Sequence, residues 1–444
     1  MEIMKKHYTG TWESVKEHQV PQWYDDCKFG IFIHWGLYSV PAFAPKTCEL
    51  GEIDDDEGWF CNNPYAEWYY NSVKVGCGPT YEHHKKVYGE HFKYEYFADM
   101  WKAEKWNPIE WAELFKEAGA GYVVLVTKHH DGFCLFPSKY TDYSSIWRGP
   151  QRDITGELTR AVRNQGMKMG LYYSGIIDWR YADDPIYKGE DLKGNACPTA
   201  EYADFAYNQC MELIERYQPS VFWNDIGWPY KGETSLPNLL AHYYNTVEDG
   251  VVNDRFNGLF HDFTTKEYKS GESNRKEKWE MCRGMGLSFG YNAEESADEI
   301  LSIEAFIRML VDVVSNNGNL LINIGPKADG TIPEEQAERL REMGRWLKVN
   351  GEGIYNTHCS EFENIYSEDG NVYFTETENA LYFFVEAKDA GKEFIIPVLE
   401  SAEGIEALDS GVKYQCAETE KGLKVSVLEN QTGYDMLCFK KVLE

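Results

Sequence analysis

Strand-like and helical segments alternate along the chain up to about residue 350, and this alternation limits the fold more than any other feature. Repeated strand–helix units are typical of a parallel sheet, and at this length the sheet is expected to close into a barrel. The strand-like runs are residues 28–35, 122–128, 168–173, 220–223, 251–253 and 319–324. The helical patterns are residues 108–118, 154–164, 199–217, 236–246, 303–314 and 334–349. Because six strands rather than eight are evident, we predict an α/β fold with an irregular (β/α)8-type, TIM-like barrel.

The sequence changes character after Gly351. Short strand-like runs follow, separated by turn residues and without a helix of any length. These runs are residues 371–375, 380–387, 393–399, 412–416, 423–428 and 435–440. Regularly spaced short strands are typical of an antiparallel β-sandwich. We therefore predict a catalytic barrel domain over residues 1–352 and a C-terminal β-sandwich domain over residues 353–444.

The charge of the chain excludes some classes of partner. Its 444 residues include 73 acidic and 44 basic side chains, which gives a net charge of −29. Nucleic acids and anionic membranes are bound through Lys and Arg, so neither is expected as a partner. A neutral small-molecule substrate fits better, and a homo-oligomer is left open. The aromatic content of 15% fits either a sugar-binding surface or a large aromatic core.

The N-terminal segment and the cysteines indicate where the protein resides and whether it binds zinc. The N-terminal segment has no apolar core like that of a signal peptide, and no apolar run is long enough to span a bilayer. The 11 cysteines are scattered and form no Cys-x-x-Cys pair, so a thiolate zinc site is not expected. We expect reduced, buried thiols in a cytoplasmic protein. The acidic segment 51–58 lacks the spacing of a calcium loop and is interpreted as a solvated insertion or a lid.

Polar side chains gather at the predicted carboxyl ends of the strands, where barrels of this type place catalytic groups. They are His34, His129, His130, Tyr172, Asp225 and Arg255. Asp225 follows an apolar strand and is flanked in sequence by Trp223 and Trp228. Aromatic rings beside a carboxylate suit a sugar, because its C–H faces stack on rings while its hydroxyls hydrogen-bond to polar groups.

Two chemistries fit this edge of the barrel. His34, His129, His130 and an acid are plausible metal ligands, although neighbouring residues on a strand point to opposite faces. Alternatively, the same side chains donate hydrogen bonds to the hydroxyls of a neutral ligand. Glycoside hydrolysis would need a second carboxylate besides Asp225. The sequence offers three candidates, and their spacing does not choose among Glu67, Glu267 and Glu280.

Six motifs occur in order between about residues 20 and 350. They are FGIFIHWG at 29–36, KHHDGF at 128–133, YYS at 172–174, WNDIGWP at 223–229, GLSFGYN at 286–292 and NLLINIGP at 319–326. Together they resemble the α-L-fucosidases of glycoside hydrolase family 29. The resemblance implies an irregular barrel followed by a β-sandwich. It also implies cleavage of terminal α-L-fucose with retention of configuration, without a metal or other cofactor.

The resemblance also implies roles for individual residues. Asp225 corresponds to the nucleophile and Glu267 to the acid/base, which in this family lies on a variable loop. Phe289 corresponds to an aromatic residue near the sugar's methyl group, and Trp59 to a lid contact. The residues that correspond to those binding the hydroxyls of fucose are His34, Glu67, His129, His130, Tyr172, Trp223 and Arg255. Two other readings stay open: a metal-dependent hydrolase using the three histidines, and a fucose-binding protein that has lost catalysis.

Overall fold

Eight parallel strands form the central sheet of the protein in a computed structural model, which describes residues 6–47, 56–182, 184–194, 199–268, 275–367 and 370–443. The strands are β1 Phe29–Ile33, β2 Tyr122–Lys128, β3 Lys168–Ser174, β4 Val221–Asp225, β5 Val251–Val252, β6 Thr264–Glu267, β7 Trp279–Gly284 and β8 Gly318–Ile324. Strands β1 to β5 pair in sequence order, as do β6 to β8, and β1 also pairs with β8. Strands β5 and β6 are joined only by a bridge between Asn253 and Phe263. The sheet therefore curls into the expected irregular TIM-like barrel, with its weakest seam between β5 and β6.

Helices surround this sheet. In the described part of the chain they are α1 Trp12–Val15, α2 Gln22–Cys27, α3 Asp56–Cys61, α4 Tyr69–Val75, α5 Gly78–Val87, α6 Phe97–Met100, α7 Pro108–Glu117, α8 Ile154–Asn164, α9 Asp191–Gly194, α10 Ala200–Tyr217, α11 Ser235–Thr246, α12 Ile303–Ser315 and α13 Glu334–Asn350. The six helices predicted from periodicity agree with α7, α8 and α10–α13 to within one residue at each end. Local signals explain this accuracy, since side chains of Asn107, Asp153 and Ser302 cap α7, α8 and α12. The shorter helices lack a clear apolar stripe and are not predicted.

The sequence pattern also does not predict β6 and β7. Strand β6 has the polar sequence TTKE, and β7, WEMCRG, contains two charged residues. By contrast, all seven residues of β2 are buried, as expected for a parallel strand that is covered on both faces. The charged residues in β7 are tolerated because Glu280 finds hydrogen-bond donors inside the barrel.

The C-terminal region is formed by two antiparallel sheets. Its strands are β9 His358–Cys359, β10 Val372–Thr377, β11 Ala380–Glu386, β12 Glu393–Ile396, β13 Ile405–Ala407, β14 Val412–Thr419, β15 Gly422–Asn430 and β16 Met436–Val442. One sheet has the order β13-β16-β11-β10-β9 and the other β12-β15-β14. Their inner faces share a core that includes Phe374, Phe383 and Val425. Trp346 of α13 donates its indole N–H to the carbonyl of Met436, which ties this region to the barrel.

Cys61 and Cys77 form a disulfide across 16 positions of the sequence. The expectation of reduced thiols is therefore wrong for this pair, because the fold brings the two Cα atoms to 5.6 Å, within the usual range for a disulfide. The cytoplasmic location stays a prediction. Most of the acidic segment 51–58, interpreted as an insertion or lid, lies outside the described residues. Among the described residues, no helix has the length and apolar character that a membrane crossing requires.

Candidate active site

Asp225 is the last residue of β4, and its carboxylate lies at the carboxyl end of the barrel. Tyr172 Oη donates to Asp225 Oδ2 over 2.7 Å, and Arg255 Nη1 donates to Oδ1 over the same distance. The backbone N–H of Ile226 also donates to Oδ1, at 2.9 Å. Ile226 has a φ of 64°, a strained conformation for a β-branched residue. This backbone conformation turns the chain directly after Asp225 and directs the N–H of Ile226 at the Asp225 carboxylate.

Glu267 ends β6 and stands on the other side of the same arginine. Arg255 Nη2 donates to Glu267 Oε2 over 3.0 Å, while Arg255 Nε donates to Thr265 Oγ1 over 2.9 Å. Tyr65 Oη approaches Glu267 Oε1 at 3.4 Å. One planar guanidinium therefore bridges two carboxylates, each of which hydrogen-bonds to a separate terminal nitrogen.

The two carboxyl groups differ in proton affinity. Burial by itself would raise the pKa of Asp225, but the charge and hydrogen bonds of Arg255, with the Tyr172 hydroxyl, hold it below its usual value. Burial raises the pKa of Glu267, and the nearby charge of Asp225 raises it further against the opposing effect of Arg255. Two neighbouring acids whose pKa values are pushed apart are suited to separate roles, one ionised and one protonated.

The three histidines are buried and neutral near pH 7. Burial lowers the pKa of His34 to about 4 and that of His130 to about 3. It also holds the pKa of His129 well below its usual value. His130 Nε2 lies 3.9 Å from Asp225 Oδ2, beyond direct hydrogen-bond distance. A neutral imidazole can donate a hydrogen bond to a hydroxyl or accept one from it without adding charge to the pocket.

Hydrogen bonds at Nδ1 fix the tautomers of His34 and His130. Asn323 donates its amide N–H to the carbonyl of Phe289, so its Oδ1 is the acceptor for His34 Nδ1 at 2.6 Å. Similarly, Ser174 donates its hydroxyl hydrogen to the carbonyl of Ile177 and accepts from His130 Nδ1 at 2.6 Å. In both neutral rings Nε2 is then the unprotonated nitrogen, available as an acceptor.

Glu67 and Phe289 lie in the same pocket. Glu67 Oε2 accepts from the backbone N–H of Gly290 at 2.7 Å, and burial raises its pKa to about 8. Phe289 packs 4.9 Å from the His34 ring and 5.6 Å, edge to face, from Tyr65. Trp59, in α3, is buried and also contacts Tyr65 edge to face, at 5.6 Å.

All eleven residues named from the resemblance line one cavity of about 190 Å³. They are His34, Trp59, Glu67, His129, His130, Tyr172, Trp223, Asp225, Arg255, Glu267 and Phe289. Further lining residues that the sequence reasoning does not single out are Phe32, Phe60, Asn63, Tyr65, Trp68, Leu192, Ile226 and Cys282. Tyr65 lies two residues before Glu67 in the sequence, but no sequence signal indicates its contact with Glu267.

Two residues highlighted in the sequence lie elsewhere. Trp228 packs on Phe256 at 5.6 Å and lines a separate groove, because the turn at Ile226 and Gly227 carries it away from the pocket. Glu280 is fully buried in the barrel interior and does not line the pocket, so its candidacy as the second carboxylate is wrong.

The histidines do not form a metal centre in this geometry. Within the described residues, which include all three histidines and Asp225, no group of three or more His, Cys, Asp or Glu side chains is arranged to hold a metal ion. The arrangement instead provides a ring of hydrogen-bonding groups around two carboxyls.

Comparison with known proteins agrees with this geometry. The family model for α-L-fucosidase matches residues 1–352. An α-L-fucosidase of Dictyostelium discoideum is 33% identical over 444 residues, covering 96% of this chain and 89% of that protein. The structure of Thermotoga maritima α-fucosidase in complex with fucose is 46% identical, with a TM-score of 0.90, covering 98% of this chain and 100% of that chain.

A more distant structure is informative about chemistry in that protein. It is a trapped covalent intermediate of a Bacteroides thetaiotaomicron α-L-fucosidase in complex with 2-fluoro-fucosyl fluoride. It is 25% identical to this chain, with a TM-score of 0.75, and covers 99% of each chain. The family model and the relatives agree, and the chain belongs to the α-L-fucosidases of glycoside hydrolase family 29.

Proposed function

We propose that this α-L-fucosidase removes terminal α-L-fucose from oligosaccharides or glycoconjugates by a retaining double displacement. Asp225 is the nucleophile and Glu267 the general acid/base. The observation that carries the proposal is the guanidinium of Arg255, which bridges an acid with a lowered pKa and an acid with a raised one. A retaining glycosidase needs this combination at the start of its cycle.

In the first step, the ionised carboxylate of Asp225 attacks the anomeric carbon. The bond from that carbon to the leaving oxygen breaks, and Glu267 gives its proton to that oxygen. The product is a fucosyl ester of Asp225. This ester removes the negative charge of Asp225, so Glu267 can ionise more easily. The covalent intermediate trapped in the Bacteroides relative supports this route.

In the second step, Glu267 acts as a base. It takes a proton from water, whose oxygen attacks the anomeric carbon from the side that the leaving group occupied. The ester bond breaks, Asp225 regains its charge, and Glu267 is again protonated. Retention predicts carboxyl groups separated by about 5–5.5 Å, whereas inversion would leave about 6.5–9.5 Å for a water molecule.

Pocket size supports action at the end of a glycan. A cavity of about 190 Å³ is smaller than the roughly 300–1,000 Å³ of pockets that enclose drug-sized ligands. It suits a single sugar ring. His34, His129 and His130 supply hydroxyl partners, while the faces of Trp223 and Phe289 supply apolar surface for a deoxy sugar's methyl group.

The test is hydrolysis of 4-nitrophenyl α-L-fucoside by the native protein and by Asp225→Ala, both with a chelator present. We expect turnover that resists the chelator and disappears in the variant. Proton NMR of the fucose released in the first seconds should show the α-anomer first. Early β-fucose would contradict retention. Loss of turnover on chelation would favour the metal-dependent alternative, and binding of fucose without turnover would favour the binding protein.

A further inference from the structure

Glu280 is a buried carboxylate to which the proposed mechanism gives no role. It projects from β7 into the barrel, and three neighbouring side chains donate hydrogen bonds to it. Trp223 Nε1 donates to Oε1 at 2.8 Å, and the hydroxyls of Tyr24 and Tyr122 donate to Oε2 at 2.9 and 2.5 Å. Glu280 and its three donors are almost completely buried. A carboxylate is costly to bury even with such partners, so its presence calls for a role.

Trp223 connects this carboxylate to the active site. Its indole has a single N–H, which is directed at Glu280, and this bond fixes the rotation of the ring. The Arg255 guanidinium lies 4.8 Å from the centre of the Trp223 ring. The Tyr172 ring is stacked on Trp223 at 5.5 Å with an interplanar angle of 21°. Arg255 and Tyr172 both donate hydrogen bonds to the carboxylate of Asp225.

We infer that Glu280 is a positioning residue, which orients Trp223 and thereby holds Arg255 and Tyr172 against Asp225. The inference rests on the proposed function. Burial raises the pKa of Glu280, and the hydrogen bonds from Tyr122, Trp223 and Tyr24 counteract that rise. While Glu280 is ionised, the hydrogen bond that it accepts from the indole N–H is charge-assisted and stronger than one to a neutral acceptor. It also polarises the indole so that the ring becomes more attractive to a cation, which strengthens its contact with Arg255.

This support matters most after the first chemical step. Once Asp225 is esterified it no longer carries a charge, and the anionic partner of Arg255 is then Glu267, whereas the ring of Trp223 stays in place. The guanidinium then remains between Asp225 and Glu267, ready to stabilise the charge that returns to Asp225. Without the carboxylate of Glu280, the ring and the guanidinium can shift together, and shifts of about 1 Å at such sites cost up to a hundredfold in rate.

The experiment compares Glu280→Gln with Tyr24→Phe. The glutamine still offers an oxygen to Trp223 but carries no charge, whereas Tyr24→Phe removes a hydrogen bond to Glu280 and leaves the bond to Trp223 intact. Fluorescence and circular dichroism would establish that both variants are folded. We expect kcat/KM of Glu280→Gln to fall by about ten- to a hundredfold, with most of the loss in kcat, and that of Tyr24→Phe to stay within about threefold.

A pH profile separates positioning from general damage. The charged and titratable groups around Asp225 include Arg255, His34, His130, Tyr172, Glu267 and Cys282. Looser contact with Arg255 would move the acid limb of kcat/KM to higher pH in Glu280→Gln. An unmoved acid limb, or an equal shift in Tyr24→Phe, would overturn the inference, because either result indicates a packing effect.

Trp223→Phe provides a second, independent test, which also serves if Glu280→Gln fails to fold. It removes the indole N–H, and we expect it to move the acid limb in the same direction. In the double variant the two losses should not add, because both remove the same connection. Additive losses would contradict the connection. Failure of the proposed function and failure of this inference give different results. If the proposed function is wrong, Asp225→Ala retains turnover. If only this inference is wrong, Asp225→Ala is inactive and kcat/KM of Glu280→Gln is close to native.

Discussion

Arg255 donates a 2.7 Å hydrogen bond to Asp225, and this contact joins the segment that follows β5 to the end of β4. Arg255 also stands beside the weak seam of the sheet, where β5 and β6 are linked through one bridge between Asn253 and Phe263. The arginine itself is held by Thr265 and by the face of Trp223. The open seam between β5 and β6 is thus bridged at its carboxyl end by the hydrogen bonds from Arg255 to Thr265 and Glu267, while the same guanidinium keeps Asp225 ionised.

Arg255→Lys should reduce kcat/KM by about 10²–10³-fold, the usual cost of losing a main electrostatic donor at an active site. Lysine keeps the positive charge but not the planar fork, so it cannot donate to Asp225 and Glu267 at once. Steady-state kinetics on 4-nitrophenyl α-L-fucoside would measure the loss. Arg148→Lys is the matched control, because Arg148 pairs with the exposed Asp99 away from the pocket. Equal rates for the two variants would remove Arg255 from the mechanism.

Glu267→Ala should affect the two chemical steps unequally. A nitrophenolate leaving group needs little protonation, so formation of the fucosyl ester is slowed less than its hydrolysis, which loses its base. Added azide should restore turnover and produce fucosyl azide, detectable by mass spectrometry. If azide has no effect, the acid/base must be reassigned. Glu67 is then the next candidate, because it lines the pocket and Glu280 does not.

The dependence of kcat/KM on pH should be bell-shaped. Asp225 must be ionised, so activity falls as pH drops through its pKa, which is below the usual value. Glu267 must be protonated, so activity falls as pH rises through its pKa, which is above the usual value. The histidines add no limb near pH 6.5, because the pKa values of His34 and His130 are about 4 and 3. An alkaline limb that persists in Glu267→Gln with an activated substrate would contradict this assignment.

Sequence reasoning succeeded where the signal is local. An apolar strand that ends in an acid and a turn marks Asp225, and periodic apolar residues with capping side chains mark the long helices. The barrel follows because repeated strand–helix units have few ways to bury their apolar faces. The family resemblance, carried by six ordered motifs, named eleven residues that line one pocket, although they come from segments far apart in the sequence.

Contacts that depend on the folded chain could not be predicted. Glu267 and Glu280 stand on adjacent strands, yet one reaches the pocket and the other is directed into the barrel, a difference set by their depth along the strands. Short polar strands such as β6 lack an apolar pattern, so only pairing with β7 identifies them. Likewise, Cys61 and Cys77 become neighbours through the fold of the segment between them, in which α4 packs against both α3 and α5.

Stability should fall with rising pH partly because of Glu67. Burial raises its pKa to about 8, so the folded protein holds this proton more tightly than the unfolded chain, whose value is near 4.5. The stabilisation is complete below about pH 4.5 and is lost as pH rises to about 8. Burial also raises the pKa of Asp131 to about 6 and of Glu295 to about 7, which act in the same direction.

Glu67→Gln isolates the share of one group. Its thermal midpoint should decline less between pH 5 and pH 9 than that of the native protein, because glutamine does not ionise. Differential scanning calorimetry at the two pH values would measure the difference. Glu294→Gln is the control, because Glu294 is exposed to solvent. Its thermal midpoint should change between pH 5 and pH 9 as that of the native protein does. Parallel curves for all three proteins would show that Glu67 ionises without cost in the folded state.

The Cys61–Cys77 disulfide should stabilise both the protein and its pocket. Cys61 ends α3, which carries the pocket residues Trp59 and Phe60, and Cys77 lies directly before α5. Closing a loop of this size stabilises a folded chain by about 3 kcal/mol in the chain-entropy description. Cys61→Ser should therefore lower the thermal midpoint. It should also raise KM more than it lowers kcat, because we expect Trp59 and Phe60 to contact the sugar rather than the reacting carboxyls.

Dithiothreitol should produce the same changes in the native protein. Cys416→Ser is the control: it replaces a free thiol in the C-terminal region and should change neither the thermal midpoint nor KM. An unchanged KM after complete reduction, verified by thiol counting, would show that α3 keeps its position without the disulfide.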